Sequence, residues 1–258
     1  MSSRLWHLFK ELLLKEFGRD FHGTVTGWFW FVLNPLLLLA TYAFVFGVIF
    51  QARVPSGLDV PFVAWLAVAL WPWLAFSDGV LRGAQAIGKS ADILAKVAIP
   101  RYFFPLSVQS SAFLLQMLGY IVVLLTMLAM GIELHWVGLP YLFLLLLTLF
   151  IMSTGLALLT SAVMVYVRDL AQFLPTLFLF WFFLTPILYP PEALPDQLGY
   201  WLRFNPLAWW MEEIRATLFD GKSVPDITLL YLSICAAMAL GLGWWVFDRL
   251  NTYFEDFL

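Results

Sequence analysis

The sequence predicts an all-α protein that crosses a membrane six times, with residues 1–258 forming a single transmembrane domain. Hydrophobic residues make up 62% of the chain and charged residues only 12%, whereas a soluble domain carries about 25% charged residues. So few polar side chains cannot cover the surface of a soluble fold, but a surface that faces lipid needs none. Six long apolar stretches, separated by polar segments, supply the spans.

Residues 1–27 are predicted to form a cytoplasmic segment with an amphipathic helix that lies flat in the membrane interface. Six apolar side chains recur at helical spacing on one face: Leu5, Leu8, Phe9, Leu12, Leu13 and Phe17. Lys10, Glu11 and Lys15 face the other way, which is typical of interfacial helices. The alternative is a helix from the core of a small soluble domain, but no such domain follows.

Spanning a hydrocarbon core of about 30 Å takes roughly 20 apolar residues. The stretches that qualify lie at about 28–50, 62–81, 105–130, 139–164, 170–189 and 227–247. Pro72 lies inside the second stretch and Pro175 inside the fifth. Proline is tolerated there because neighbouring helices can satisfy the backbone carbonyls that it frees.

Lys and Arg predict the orientation, because they are enriched in cytoplasmic loops. With the N-terminus inside, ten positive residues fall on the inner side: Arg4, Lys10, Lys15, Arg19, Arg82, Lys89, Lys96, Arg101, Arg168 and Arg249. Four fall on the outer side: Arg53, Arg203, Arg215 and Lys222. Both termini are therefore expected in the cytoplasm.

The segment 190–225 is predicted to dip into the outer leaflet as a re-entrant region. It alternates proline breaks with short amphipathic pieces and is too short to span twice as straight helices. Glu212, Glu213 and Arg215 lie on one of these pieces. They could bind a lipid headgroup or a partner subunit, but a solvated face is the favoured interpretation. On the inner side, Asp78 and Arg82 have the spacing of an i,i+4 ion pair.

Residues 83–90 read GAQAIGKS, which matches the G-x-x-x-x-G-K-[ST] phosphate-binding loop. That loop needs a preceding β-strand within an α/β domain, whereas here the end of a membrane span precedes it. We therefore reject a nucleotide site in this chain.

Catalysis and metal binding find little support in the sequence. His7, His22 and His135 are scattered, and the single cysteine, Cys235, excludes a disulfide within the chain. The sequence has no basic stripe of the kind that indicates a nucleic-acid partner. We expect no catalytic residue, no metal site and no cofactor bound by this chain.

Aromatic side chains concentrate in the first and fifth spans. They are Trp28, Trp30, Tyr42, Phe46, Phe178, Trp181 and Phe182. Aromatic faces can stack on sugar rings, and the alternative is that these side chains face lipid or the interface.

Four blocks in order resemble the membrane-spanning subunit of type-2 ABC exporters, in particular the polysaccharide export permeases. The blocks are TVTGWFWFVLNPLLLLATYAFVFG at 24–47, SADILAKVAIPRYFFPLS at 90–107, VRDLAQFLPTLFLFWFFLTPILYPPEALP at 167–195 and FNPLAWWMEEIRATLFDG at 204–221. The resemblance covers nearly the whole chain.

The resemblance implies a homodimer in the bacterial inner membrane with two copies of a separate ATPase, which binds the ATP and Mg²⁺. The cargo would be a lipid-linked polysaccharide such as O-antigen. The segment 82–104 would carry a coupling helix, with Asp92, Lys96 and Arg101 as contacts to the ATPase. The first and fifth spans would line the glycan path.

The same resemblance implies that the region 190–225 closes the outer end of the path. The expected gate residues are Tyr189, Pro190, Pro191, Glu212 and Arg215. Three alternatives stay open: an exporter of a smaller lipid, drug or lipo-oligosaccharide, a membrane-embedded glycosyltransferase, and a passive channel.

Overall fold

The computed structural model describes residues 3–19, 27–51, 54, 60–94, 99–252 and 254. The side chains of residues 3, 4, 19, 27–32, 34, 35, 93, 196 and 198 lie outside this description. Within the described ranges every regular element is helical, as the sequence predicts.

The helices follow one another with short connections. The first half contains α1 (Ser3–Arg19), α2 (Gly27–Tyr42), α3 (Phe62–Ala84), α4 (Ala86–Lys89), α5 (Ala91–Leu94) and α6 (Phe103–Ala129). The second half contains α7 (Leu139–Tyr166), α8 (Leu170–Leu184), α9 (Asp196–Leu202), α10 (Pro206–Phe219) and α11 (Ile227–Asn251). A π-helical stretch continues α2 over Ala43–Ile49.

Four of the described helices are long and apolar enough to cross a bilayer: α3, α6, α7 with the short turn before it, and α11. The apolar helices Leu36–Ile49 and Leu170–Leu184 are shorter, so six crossings stay a prediction. In the most apolar 18-residue stretch of each helix, 83% of the residues are buried in α3 and 17% are buried in α11. The helix α3 is thus the centre of the bundle and α11 lies at its edge.

Side-chain contacts define the two ends of the bundle. At one end, which we call the α1 end, Phe9 of α1 packs against Phe103 at the start of α6 with ring centroids 5.5 Å apart. There the Tyr166 hydroxyl also donates to the Leu250 carbonyl. At the other end, the α10 end, the His135 amide before α7 donates to the Leu218 carbonyl of α10. The segment 82–94 with α4 and α5 belongs to the α1 end.

The amphipathic pattern of α1 is confirmed by its burial. All six predicted apolar side chains are half-buried, whereas Lys10, Glu11 and Lys15 are exposed. The apolar face of α1 lies against α6.

The helices α7 and α11 approach so closely that only glycine fits between them. A Cβ atom on Gly243 would overlap the backbone of Gly155, and one on Gly155 would overlap the backbone at Ala239. Small residues of this kind let apolar helices pack backbone to backbone in lipid, where van der Waals contact drives association.

Pro72 lies in the middle of α3 without ending the helix. Proline has no N–H, so the carbonyl four residues earlier, that of Val68, loses its helical donor. The Tyr120 hydroxyl of α6 donates to this carbonyl at 3.1 Å, and Tyr120 is only 2% exposed. A neighbouring helix therefore satisfies the carbonyl, as the sequence analysis expects for prolines inside the spans.

Substituting Tyr120→Phe removes this donor and leaves the Val68 carbonyl without a replacement in an apolar interior. We expect the variant to lose about 1–2 kcal/mol of unfolding free energy. The measurement is denaturant-induced unfolding in detergent micelles. The matched control is Tyr200→Phe, because Tyr200 is 56% exposed, and it should unfold like the wild type. Equal stability of the two variants would contradict this role for Tyr120.

Candidate functional site

The candidate site lies at the α10 end, where α8 stops earlier than predicted. The fifth span was expected to run to residue 189, but α8 ends at Leu184 and irregular backbone follows. A helix of 15 residues is about 22 Å long, which is shorter than a hydrocarbon core of about 30 Å. The last carbonyls of a helix have no donor within the helix, and away from water they need donors from elsewhere in the protein.

Local donors satisfy four of these carbonyls. The Thr185 hydroxyl donates to Trp181, the Thr185 amide to Phe182, the Tyr189 hydroxyl to Phe183 and the Ile187 amide to Thr185 itself. Tyr189, a predicted gate residue, thereby folds the segment after α8 back onto the helix end.

Asn205, which lies just before α10, satisfies the next carbonyl. Its side-chain amide donates to the Leu184 carbonyl at 3.3 Å and to the Thr185 hydroxyl at 3.0 Å. Its side-chain oxygen accepts from the Trp181 indole and from the Leu207 amide, so that it also caps α10. Asn205 therefore ties the end of α8 to the start of α10, which is the reason that α10 begins where it does.

Arg215 of α10 satisfies the two remaining carbonyls of this turn. Its guanidinium donates to the Pro186 carbonyl at 2.7 Å and to the Ile187 carbonyl at 2.8 Å. It also donates to the Trp65 carbonyl of α3 at 3.2 Å and lies 3.4 Å above the Trp65 ring. Every carbonyl from residue 181 to residue 187 thus has a donor, and the Arg215 side chain joins α3 and α10 to the turn that follows α8.

The solvated-face interpretation of Glu213 and Arg215 is wrong, because each is only 7% exposed. Of the three charged residues only Glu212 is exposed. Arginine tolerates this burial because it keeps its charge and has several donors in a rigid plane.

Glu213 points to the opposite side of α10 and has its own partners. Its carboxylate accepts from the Tyr141 hydroxyl at 2.8 Å and from the Lys222 ammonium at 2.6 Å. Lys222 also pairs with Asp226, which caps α11, at 2.8 Å. This network joins α10 to α7 and α11.

Lys222 and Asp226 keep their charges at neutral pH. Burial acts to lower the pKa of Lys222, but its hydrogen bonds to Asp226 and Glu213 outweigh burial and raise the pKa. The hydrogen bond from Lys222 lowers the pKa of the Asp226 carboxyl. The contribution of Asp226 to stability is accordingly lost only as pH falls through this lowered pKa.

The predicted aromatic residues of α2 and α8 form one cluster with two side chains of α3. Tyr42 stacks on Phe182 with centroids 5.6 Å apart. Trp73 contacts Phe178, Trp181 and Phe182 at 5.7–6.3 Å. Phe76 contacts Phe178 and Trp181 as well. Trp73 and Phe76 are not among the residues predicted from the sequence, although the helical spacing of aromatic residues on both sides of Pro72 is a signal for them.

The members of the cluster differ in burial. Phe178, Phe182, Trp73 and Phe76 are at most 5% exposed in a single chain. Tyr42, Phe46 and Trp181 are half-buried and keep part of their surface open. The side chains of Trp28 and Trp30 lie outside the described residues. A path lined by these aromatics stays a prediction.

A mostly apolar cavity of about 620 Å³ opens beside this cluster at the α10 end. Its walls include Trp181, Tyr189, Trp201 and Asn205. Pro190 and Pro191, also predicted for the gate, are half-buried next to Tyr189. The structure thus brings Tyr189 and Arg215 to one turn, while Glu212 faces outward.

At the α1 end the predicted coupling residues do not form one cluster among the described residues. Asp92 is exposed on α5, and Lys96 lies outside the described residues. The Arg101 guanidinium donates to the carbonyl of Asn251 at the end of α11.

The Asp78–Arg82 pair is confirmed at 2.8 Å. The phosphate-loop motif at 83–90 begins inside α3 and continues into α4, which agrees with its rejection.

Long apolar helices with buried polar groups define a multi-pass membrane protein. Residues 7–219 match the ABC-2 type transporter family. The chain belongs to this family.

Relatives resemble the chain over nearly its full length. The O-antigen export system permease protein RfbA of Klebsiella pneumoniae is 27% identical, covering 100% of this chain and 98% of the relative. The protein of the same name from Myxococcus xanthus is 29% identical, covering 96% and 92%. The polysialic acid transport protein KpsM of Escherichia coli is 26% identical, covering 91% and 90%.

The role of Asn205 can be tested with Asn205→Asp. The variant keeps the acceptor for the Trp181 indole and the Leu207 amide but loses the donor to the Leu184 carbonyl. We expect a loss of about 1–3 kcal/mol of unfolding free energy, measured in micelles. Gln197→Glu makes the same change of amide to acid at an exposed position and should leave stability unchanged. An Asn205→Asp protein as stable as Gln197→Glu would contradict the tie between α8 and α10.

Proposed function

We propose that this chain is the membrane-spanning permease of an ATP-driven exporter that moves a lipid-linked polysaccharide across the bacterial inner membrane. The observation that carries the proposal is the full-length similarity to relatives named for O-antigen export and polysialic acid transport. Membership of the ABC-2 type family favours a transport permease over an enzyme. ATP hydrolysis would take place in a separate subunit, outside this chain.

In the proposed topology the α1 end faces the cytoplasm and the α10 end faces outward. The distribution of Lys and Arg supports this orientation. The helix α2 with its π-helical extension and α8 would complete six crossings. The Trp210 indole of α10 donates to the Leu145 carbonyl, nine residues into the Trp136–Tyr166 helix. Since each residue adds about 1.5 Å, this contact lies about 13 Å below the start of that helix, which supports a re-entrant α10.

In the proposed assembly two copies of the chain pair with two ATPase subunits, and the seam between the protomers forms the path. One face of α8 supports this arrangement, because Phe173, Phe180 and Phe183 are exposed there while Phe178 and Phe182 face α3. The half-buried rings of Tyr42, Phe46 and Trp181 would offer flat surfaces to passing sugars. Stacking on such rings does not require a sugar to sit at one exact position, and a polymer that slides past the rings needs contacts of this kind.

The proposed cycle has two states, which ATP biases from a distance. ATP binding to the partner would push on the α1 end through α4, α5 and the following segment to residue 101. Movement of α3 would reach the α10 end through Arg215, because this side chain joins α3 and α10 to the turn that follows α8. The turn at residues 185–189 would then open or close the outer mouth.

The proposal predicts that the chain co-purifies with its cognate ATPase when the two are co-expressed. Asp92→Ala and Lys96→Ala, at the proposed docking segment, should lower glycan export at least about fivefold while the protein stays folded. Glu133→Ala is the control, because Glu133 is exposed near the α10 end, and it should export normally. The measurements are retention of the ATPase on the tagged permease and surface glycan in intact cells.

A different outcome would point to another class of protein. A chain that retains no ATPase and acts on a sugar nucleotide by itself would be a membrane-embedded enzyme. Export of a small lipid or drug with no effect on surface glycan would contradict the polysaccharide cargo.

A further inference from the structure

A cationic cavity of about 410 Å³ lies at the α1 end, away from the aromatic cluster. One side is formed by the end of α3 and by α4, including Gln85, Gly88 and Lys89. The other side is formed by the last turns of α7 and the connection to α8, including Ser161 and Arg168. Lys89 and Arg168, which are far apart in sequence, therefore line the same space.

The charges in this cavity have one sign. Lys89 and Arg168 are cationic, and none of the described residues that line the cavity is acidic. A neighbouring cavity of about 250 Å³ shares Lys89 but also contains Glu16. Of these two cavities, the larger one has two cationic residues and no carboxylate among its described lining residues, which raises the local concentration of anions.

The cavity also changes from polar to apolar with depth. Lys89 and Arg168 are exposed at its rim, whereas Ala84 and Val165 are buried in its wall. Ser161 lies five residues before the end of α7 at Tyr166, or about 7 Å deeper along the helix. A cationic rim above an apolar wall at the end of a membrane helix matches a lipid with its phosphate at the rim.

We propose that this cavity binds the phosphate group of a lipid, with Lys89 and Arg168 as the cationic contacts. Arginine and lysine are the usual partners of phosphate oxygens. The GAQAIGKS segment would thus contribute to a phosphate site, but through helical backbone and one lysine rather than as a nucleotide-binding loop. Two sources share this chemistry: a membrane phospholipid and the isoprenyl phosphate end of a lipid-linked cargo. Assigning the cargo as the source rests on the proposed function.

Gly88 provides a way to fill the cavity without disturbing the fold. A Cβ atom on Gly88 would meet nothing within 4 Å. Gly88→Leu should therefore occupy the space between α4 and the α7–α8 connection while the protein unfolds at its normal temperature. The Gly88→Leu variant reduces the volume of the cavity and leaves Lys89 and Arg168 in place.

The test is binding of a long-chain isoprenyl phosphate to the full-length permease in micelles, without ATP or ATPase. We expect the double variant Lys89→Gln/Arg168→Gln to bind at least about tenfold more weakly than the wild type. Gly88→Leu should lose binding to a similar extent. The control Lys10→Gln/Lys15→Gln removes the same charge from exposed positions on α1 and should change binding less than about twofold.

Phosphatidylglycerol and the isoprenyl alcohol serve as further probes. They distinguish a membrane phospholipid from the lipid-linked cargo and show whether the phosphate is needed for binding. Phosphatidylglycerol that competes equally indicates a phospholipid site, and a clear preference for isoprenyl phosphate indicates the cargo. Either result supports a lipid-phosphate site. Unchanged binding in the double variant, or equal binding of the isoprenyl alcohol, would overturn it. So would normal lipid binding in a double variant that no longer retains the ATPase, because the cavity would then receive the partner subunit. Since the binding assay needs no transport, its failure leaves the export proposal intact.

Discussion

The Arg215 guanidinium is the interaction on which the α10 end of this protein depends. The last carbonyls of a helix have no donor within the helix, and each carbonyl that is buried without a donor is costly in an apolar interior. Arg215 offers several donors in one plane and satisfies the Pro186, Ile187 and Trp65 carbonyls together. Without it, the Pro186 and Ile187 carbonyls would have no donor among the described residues.

The same constraint explains the rest of the bundle. The Tyr120 hydroxyl replaces the donor that Pro72 removes from α3, and Asn205 replaces the donor that the end of α8 lacks. Gly155 and Gly243 reduce the distance between α7 and α11 so that dispersion can hold them together in lipid. In each of these places a polar or small residue makes a contact that lipid cannot supply.

The helices of the fold follow from the sequence, whereas the organisation of the site does not. The amphipathic period of α1 and the long apolar stretches are local patterns, so their helices could be predicted. Arg215 was assigned to a solvated face because a charged residue on a short amphipathic helix usually is solvated. Its acceptors lie 28 and 150 residues away along the chain, and no local pattern brings them together. The same holds for Lys89 and Arg168, which only the packing of α4 against α7 places around one cavity.

The most direct test of this account is amide hydrogen exchange at Thr185, Ile187, Leu188 and Tyr189 of the permease in lipid nanodiscs. With Arg215 in place, these amides should exchange slowly, and Arg215→Met should accelerate them at least about tenfold. Amides in the middle of α7 serve as the internal reference for global unfolding, and Arg203→Met is the exposed arginine control. If exchange at 185–189 is the same in Arg215→Met and Arg203→Met, the turn does not depend on Arg215 and the account is wrong.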